Sequence, residues 1–259
     1  MCLILLEVAM SEEKRVLNLP RVTRVKYQKN FIKTAVCELR FPTFLELEEK
    51  PPRSFQAKIR KDYPFYEPQV AEQIGGPNGI SREMRYLFRS KDKHWTVTVK
   101  SFALAIETSK YIDFEDFFKR FSLVLESAKD MIDSDFFTRV GLRYINWIPI
   151  EDGNLEGWIK SELILPIIGD VLGSADSFTS LIEGKMERGQ YAFRQSLQNI
   201  DDSNNKAQSY VLDTDYSCEN VEYKDVKELV NCFNKTNFAF FSWCLGDKAK
   251  RLLGEGKTK

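Results

Sequence analysis

A single histidine, His94, occurs in the 259 residues of this chain. A Ser-His-Asp triad, a Cys-His pair and a multi-histidine metal site all need imidazole groups that the sequence does not supply. We interpret His94, in the segment Lys-Asp-Lys-His-Trp, as a turn residue and not as a catalytic base. The five cysteines are scattered and form no Cys-x-x-Cys pair. They predict reduced, mostly buried thiols and no structural zinc.

The sequence also lacks the glycine-rich loops that hold phosphate groups. Neither Gly-x-x-x-x-Gly-Lys-Ser/Thr nor Gly-x-Gly-x-x-Gly occurs. No apolar run reaches the about 20 residues that a membrane-spanning helix needs. The apolar stretch 1–10 carries Glu7 and has no basic segment, so it is unlike a signal peptide. We expect a cytoplasmic protein with no metal or cofactor and no membrane contact, starting at Met1 or Met10.

An excess of charge of either sign is absent as well, because Lys plus Arg and Asp plus Glu both number 38. A dedicated, non-specific nucleic-acid binder usually carries a basic excess, so this balance disfavours that class. The chain is rich in apolar residues, with 43% hydrophobic and 13% aromatic residues. This composition predicts a packed core and excludes a disordered chain.

Hydrophobic periodicity gives the predicted elements. Strands are predicted at 27–41, 84–90, 94–107, 136–148, 178–188, 190–200 and 208–217, and helices at 53–63, 114–134 and 223–252. The stretch 158–172 is predicted as a short helical or irregular piece. This order favours an α+β protein with a mostly antiparallel sheet and helices packed on one face. The Gly/Asn-rich stretch 151–157 predicts two halves, 27–150 and 158–253, or else one continuous domain.

Arginines recur on the predicted strand faces. Because successive strand residues point to opposite sides, Arg139 and Arg143 share a face, and so do Arg85 and Arg89. If the strands are neighbours, the guanidinium groups converge into a site for phosphate or carboxylate. The alternative is an exposed face on which carboxylates such as Glu38 pair with the arginines. The candidate anion-binding residues are Arg40, Arg85, Arg89, Arg139 and Arg143.

Two acidic patterns bear on metal chemistry. Glu183-Gly184-Lys185, with Asp170 and Asp176 upstream, has the Glu-x-Lys spacing of a metal-dependent nuclease, although this spacing is common in a chain with 29% charged residues. We interpret the second pattern, 213–215 (Asp-Thr-Asp), as a solvated strand end and not as a metal clamp.

Two aromatic segments, 61–68 (KDYPFYEP) and 237–245 (NFAFFSWCL), allow two interpretations. They belong either to the core or to a partner-binding surface, where Tyr and Trp are enriched. Core packing is favoured. A short internal echo also links 38–41 (ELRF) with 141–144 (GLRY) and marks two equivalent strands, although four residues do not establish a duplication.

Five segments taken in order carry a family resemblance: 35–42 (AVCELRFP), 61–68, 86–108, 111–121 (YIDFEDFFKRF) and 139–146 (RVGLRYIN). The chain resembles a sporadically distributed prokaryotic family of similar length whose core motif is R-x-G-L-R-Y-x-N. In that family the motif follows a helix start of the form Y-x-x-[WF]-E-x-F, and Phe114 stands where tryptophan is frequent. The resemblance implies a place among defence-associated or mobile genes, and it supplies no catalytic residue.

These observations favour a non-enzymatic binding or adaptor protein, part of a defence or toxin-neutralising system. We expect a protein partner, or a second copy of the chain in a homodimer, at the aromatic surface of the C-terminal half. Two alternatives stay open: an anion-binding protein that takes nucleotide or nucleic acid through the arginines, and a metal-dependent nuclease at Glu183 and Lys185.

Overall fold

The structure is a computed structural model, and it describes residues 16–23, 25–76, 79–150, 154–168, 175, 177–202 and 205–254. The strands are β1 Ile32–Arg40, β2 Phe65–Gly76, β3 Gly79–Arg89, β4 Trp95–Lys100, β5 Ala103–Thr108, β6 Phe136–Ile150, β7 Phe178–Met186, β8 Gly189–Asp202 and β9 Asn205–Glu222. The α-helices are α1 Glu46–Glu49, α2 Arg53–Ile59, α3 Phe114–Ile132, α4 Ser161–Ile168, α5 Val226–Cys244 and α6 Asp247–Leu253.

The described strands form one sheet in the order β2-β3-β4-β5-β1-β6-β9-β8-β7. Every neighbouring pair is antiparallel. The predicted α+β class with an antiparallel sheet is therefore confirmed. The sheet is continuous from β1 to β6. The division into halves 27–150 and 158–253 stays a prediction.

Alternation along β6 separates the two faces of the sheet. Leu142, Tyr144 and Ile148 are fully buried and belong to the apolar clusters that also contain helix side chains. Arg139 and Arg143 point to the opposite face, because side chains one residue apart leave a strand on opposite sides. The buried side chains of the described helices pack on the face that carries Leu142, so these helices cover one face.

One predicted strand is divided in the structure, and one strand was not predicted. The stretch 94–107, predicted as one strand, is divided into β4 and β5 by a turn at Ser101 and Phe102. Strand β2 was not predicted, because Pro64 and Pro68 argue against a strand. The structure places Pro68 on an edge strand, where a missing backbone N–H need not break a ladder.

The predicted C-terminal helix is interrupted at Leu245 and Gly246, which separate α5 from α6. Gly246 approaches the backbone of Gly157 so closely that a Cβ would lie 2.3 Å from the Gly157 carbonyl oxygen. The Gly246 N–H donates to Trp158 O at 2.8 Å. The helix therefore stops where the chain from residue 157 docks against it.

The fold contains a structural repeat centred on the facing pair Glu38 and Gly141. Ala105 faces Glu38 in β5, and Ser217 faces Gly141 in β9, so these two residues correspond with an offset of 112. The same offset relates the two long helices. Helix α3 starts at Phe114 and α5 starts at Val226, 112 residues later, and each has 19 residues. The strand and the helix that follows it are thus repeated in register.

The echo between 38–41 and 141–144 lies on this repeat. Because antiparallel strands are related by a two-fold axis through a facing pair, Leu39 corresponds to Leu142 and Phe41 to Tyr144. In the first repeat the N–H of Phe41 donates to Phe102 O at 2.9 Å, and in the second Tyr144 faces Thr214. The sequence echo therefore marks equivalent strands.

Candidate functional site

The sheet face opposite the described helices is called the open face here. Because facing residues share a side, one row can be followed across all nine strands. It runs through Glu67, Leu87, Thr98, Ala105, Glu38, Gly141, Ser217, Gln190 and Lys185. Three residues near the middle of this row, Ala105, Gly141 and Ser217, are small, so the long side chains beside them can lie flat on the sheet.

All five predicted arginines lie on the open face, but in two groups. Arg40 and Arg139 face each other at the centre, and Arg143 follows on the same strand. Arg85 and Arg89 lie on β3, which is separated from β1 by two strands. The structure thus brings three of the five together. Their role in anion binding stays a prediction.

Arg139 lies directly over Gly141. Its Nη2 donates to both carboxylate oxygens of Asp215 at 3.1 and 3.2 Å, and its Nη1 donates to Glu38 Oε1 at 3.4 Å. A Cβ on residue 141 would lie 2.5 Å from Arg139 Nη1. Glycine at this position therefore lets one guanidinium reach two carboxylates on strands to either side.

Arg143 makes a two-pronged contact with Asp213, through Nε at 2.7 Å and Nη2 at 2.6 Å. The Asp213 side chain is only 10% exposed. The hydrogen bond with Asp213, against the opposing effect of burial, raises the pKa of Arg143. The interpretation of 213–215 as a solvated strand end was wrong, because these residues lie in the middle of β9.

The carboxyl group of Asp215 is partly buried beside Arg139. Burial raises the pKa of its carboxyl, and the charges of Arg139 and Arg143 offset this effect only in part. The cause is desolvation, which disfavours the charged form of a carboxyl group. The charged form of Asp215 is therefore less favourable than that of an exposed aspartate, even with Arg139 beside it.

The three remaining candidate arginines also have carboxylate partners. Arg40 Nε donates to Glu38 at 2.7 Å, and Arg89 Nε donates to Glu67 at 3.0 Å. Glu83 accepts from Arg85 and lies 3.2 Å from Lys100 Nζ. Burial acts to raise the pKa of Glu83, but these two cations outweigh it and the pKa is lowered. All five candidate arginines of the open face are therefore paired with carboxylate groups.

A second cluster lies on the helix-covered face, where polar residues interrupt the apolar core. Tyr144 Oη donates to Asn234 Oδ1 at 3.1 Å, and Thr214 Oγ1 donates to Asn237 Oδ1 at 2.7 Å. All four side chains are buried. Two hydroxyl groups from the sheet thus hold two amides from α5.

Asn146 completes this cluster, which is called the amide cluster here: Tyr144, Asn146, Thr214, Asn234 and Asn237. Asn146 is 2% exposed, and its Oδ1 is buried with no hydrogen-bond partner. Its Nδ2 donates to Leu212 O at 3.5 Å. Four of the five residues, all but Thr214, line a cavity of about 620 Å³ between α3, α5 and the segment 25–32.

Sequence reasoning missed the amide cluster. Tyr144 and Asn146 were assigned no role beyond their place in the segment 139–146, and Asn234 and Asn237 were assigned none. A signal was present, because Asn234 and Asn237 are three residues apart in the stripe that also contains Phe233 and Phe240. Amides at such positions face the core, where they need partners.

The aromatic segment 237–245 belongs mainly to the core. Phe240 and Cys244 are buried, and Phe240 contacts Phe193 edge-on with ring centroids 4.8 Å apart. Phe238 packs on Tyr27 at 6.2 Å. Phe238, Phe241 and Trp243 are partly exposed, and the partner surface expected of the C-terminal half stays a prediction.

The possible metal and thiol sites can also be placed. Glu183 and Lys185 are exposed on β7, and no group of three or more His, Cys, Asp or Glu side chains among the described residues could hold a metal ion. Asp170 and Asp176 lie outside the described residues. Burial raises the pKa of the Cys37 thiol well above its ordinary value. The nuclease alternative stays a prediction.

Within the part of the chain that the structure describes, no helix is long and apolar enough to cross a membrane. Neither a scan against models of known protein families nor a search of curated proteins finds a match to this chain.

Proposed function

We propose that this chain is a binding protein whose open face docks a protein partner. The observation that carries the proposal is a whole face of a nine-stranded sheet on which none of the described helices packs. At about 4.8 Å between strands, this face is roughly 40 Å wide. Such a width accommodates the about 800 Å² that each partner contributes to a standard interface.

The charges of the open face favour a protein over a nucleic acid. Its described basic residues are Arg40, Arg85, Arg89, Lys100, Arg139, Arg143, Lys185 and Arg194, and its described acidic residues are Glu38, Glu67, Glu83, Glu107, Glu183, Asp213, Asp215 and Glu219. The two sets are equal in number. A phosphate backbone needs cations that are free to neutralise it, whereas a surface of both signs suits a protein of complementary pattern.

An apolar strip on the same face supplies the anchor. Ile145 and Trp147 follow Arg143 on β6, and Val211 faces Trp147 from β9. Trp147 is partly exposed. Tryptophan and arginine are the residue types that most often dominate the binding energy of protein interfaces. The strip and the neighbouring Arg194 are therefore the expected centre of the contact.

The proposal is tested with a charge reversal on the open face. The partner is isolated by cross-linking and affinity purification from the native host, then purified, and its affinity is measured by calorimetry. We expect Arg194→Glu to weaken binding about tenfold or more. Lys235→Glu, an exposed residue of α5 on the other side of the sheet, makes the same charge change and serves as the control.

Each outcome bears on the choice of partner. Equal affinity of wild type and Arg194→Glu overturns the proposal, and so does a monomer that retains no partner. A dimer in light scattering that Arg194→Glu dissociates identifies a second copy of the chain as the partner. Salt-dependent binding of nucleic acid that Arg143→Ala removes would replace the proposal with anion binding. Magnesium-dependent cleavage lost in Glu183→Ala would replace it with the nuclease.

The family resemblance adds a source of candidate partners. Proteins encoded beside this gene, including toxins if the neighbourhood is a defence locus, are the first to test against the open face.

A further inference from the structure

The two structural repeats differ in the chemistry of one core region. In the second repeat Tyr144 faces Thr214, and Thr214 donates to Asn237 of α5. The equivalent residues of the first repeat are Phe41, Phe102 and Leu125. The two other members of the amide cluster, Asn146 and Asn234, correspond to Thr43 and Ser122. The buried polar residues Tyr144 and Asn237 of the second repeat are thus replaced by the buried apolar residues Phe41 and Leu125 in the first.

Burial of these amides is unfavourable unless each polar atom finds a partner. In Asn234 and Asn237 the Oδ1 atoms accept from hydroxyl groups, which leaves the Nδ2 atoms to donate elsewhere. No hydrogen bond from either Nδ2 to a described residue is formed. Asn146 Oδ1 is buried with no partner at all. The cavity is therefore lined by Asn234 and Asn237, whose Nδ2 groups donate to no described residue.

Aromatic rings line much of the rest of the cavity. Rings line it from the segment before β1, from the start of α3 and from α5: Tyr27, Phe31, Tyr111, Phe114, Phe238 and Phe241. Amide groups pair with the edges of nucleobases, as an asparagine does with adenine, and aromatic rings stack on their faces. A volume of about 620 Å³ lies in the range of small-molecule sites.

Charge at the cavity does not select an anion. Lys26 and Lys29 are balanced by Asp113 and Glu115 among the lining residues. The Asp113 carboxylate already accepts from the N–H of Asp116 at 2.9 Å, as the N-cap of α3. The members of the amide cluster are uncharged. This favours a neutral ligand over a phosphorylated one.

We propose that this cavity is a binding site for an uncharged, planar heterocycle with adjacent donor and acceptor groups, a nucleobase or nucleoside. The base edge accepts from the amide Nδ2 groups of Asn234 and Asn237, and its face lies between the aromatic rings. The site is separate from the open face, which lies on the other side of the sheet.

The first experiment is direct binding to the full chain. Adenosine, guanosine, cytidine and uridine are titrated by calorimetry and by saturation-transfer NMR, with the four monophosphates in parallel. We expect at least one nucleoside to bind, with its monophosphate no tighter. Absence of binding by all eight compounds at millimolar concentration overturns the proposal. Tighter binding of the monophosphates overturns the neutral-ligand part and points to the lysines at the mouth.

Each variant introduces the residue type found at the equivalent position of the first repeat, where that side chain packs in the core. Asn237→Leu introduces the residue of Leu125, and Tyr144→Phe introduces that of Phe41. We expect Asn237→Leu to weaken nucleoside binding about tenfold or more, because the base loses a hydrogen-bond donor. Tyr144→Phe frees the amide of Asn234 to rotate, so a smaller loss is expected.

The control is Asn231→Leu, on the same helix but outside the cavity lining, where Asn231 Nδ2 donates to Lys227 O at 2.9 Å. It should leave the nucleoside affinity unchanged. Equal affinity in wild type and Asn237→Leu, with both proteins folded by circular dichroism, contradicts the assignment. A lost response in Arg194→Glu would instead show that binding belongs to the open face.

Discussion

The guanidinium of Arg139 lies over the Cα of Gly141, two residues further along the same strand, and reaches Glu38 on one side and Asp215 on the other. This relationship gives a physical role to several residues of the segment 139–146 (RVGLRYIN). The first arginine needs the glycine beneath it, the second pairs with Asp213, and the Tyr and Asn reach the amide cluster on the opposite face.

Gly141→Ala should therefore destabilise the protein through Arg139. The added Cβ displaces the guanidinium from its two carboxylates, at a cost of about 1 kcal/mol, since this pair is partly buried. In an Arg139→Ala background the same substitution should be neutral or stabilising by up to about 1 kcal/mol, because alanine is favoured over glycine in a strand. Urea denaturation of the four proteins gives the coupling. Additive effects would show that Arg139 is not displaced.

The two aspartates of β9 should differ in importance. Asp213→Asn removes a two-pronged, largely buried contact with Arg143, and we expect it to reduce the free energy of unfolding by about 1–3 kcal/mol. The expectation for Asp215→Asn is a smaller loss, because burial already disfavours the charge of Asp215. Denaturant midpoints measured at neutral pH compare the two variants. A larger loss in Asp215→Asn would contradict this ranking.

The raised pKa of Asp215 predicts a pH dependence with a definite sign. A carboxyl whose pKa is higher in the folded state than in the unfolded chain stabilises the fold below its ordinary value of 3.8, and this contribution is lost as the pH rises through the folded value. Relative to Asp215→Asn, wild type should therefore lose stability as the pH rises from below 3.8 towards neutrality. The difference in unfolding free energy, measured across this window, checks the sign. A difference that grows in favour of wild type would reverse it.

Asn146→Leu should separate stability from ligand binding. Leucine is close in size to asparagine and removes the buried oxygen that has no partner, so the melting temperature should stay the same or rise, by the equivalent of about 1 kcal/mol. Because Asn146 lines the cavity, the same change should weaken nucleoside binding. Loss of stability comparable to that of a core truncation would show that Asn146 is structural, through its bond to Leu212.

Sequence patterns predicted the strands whose alternation is regular, such as β6, and placed Arg139 and Arg143 on one face. They could not predict which carboxylates pair with these arginines, because Asp213 and Asp215 come from a strand about 70 residues later. The break between β4 and β5 was missed because the turn consists of Ser101 and Phe102 and contains no glycine or proline.

The amide cluster was hidden for a related reason. Asparagine in an amphipathic helix is usually assigned to the solvent side, and only the packing of α5 on the sheet shows that Asn234 and Asn237 face inward. Comparison of the two repeats would have exposed it, since Asn237 stands where Leu125 stands in the first repeat. That comparison requires the register of the strands, which the sequence alone does not contain.

The central position of the β1–β6 pair also constrains how the chain is made. Glu38 and Gly141 are about 100 residues apart, so β1 can pair with β5 while the ribosome has yet to release β6. During that interval β1 is an unprotected edge with all of its outward hydrogen-bonding groups available. We expect this to be the step of synthesis at which the nascent chain is most prone to pair with a neighbour.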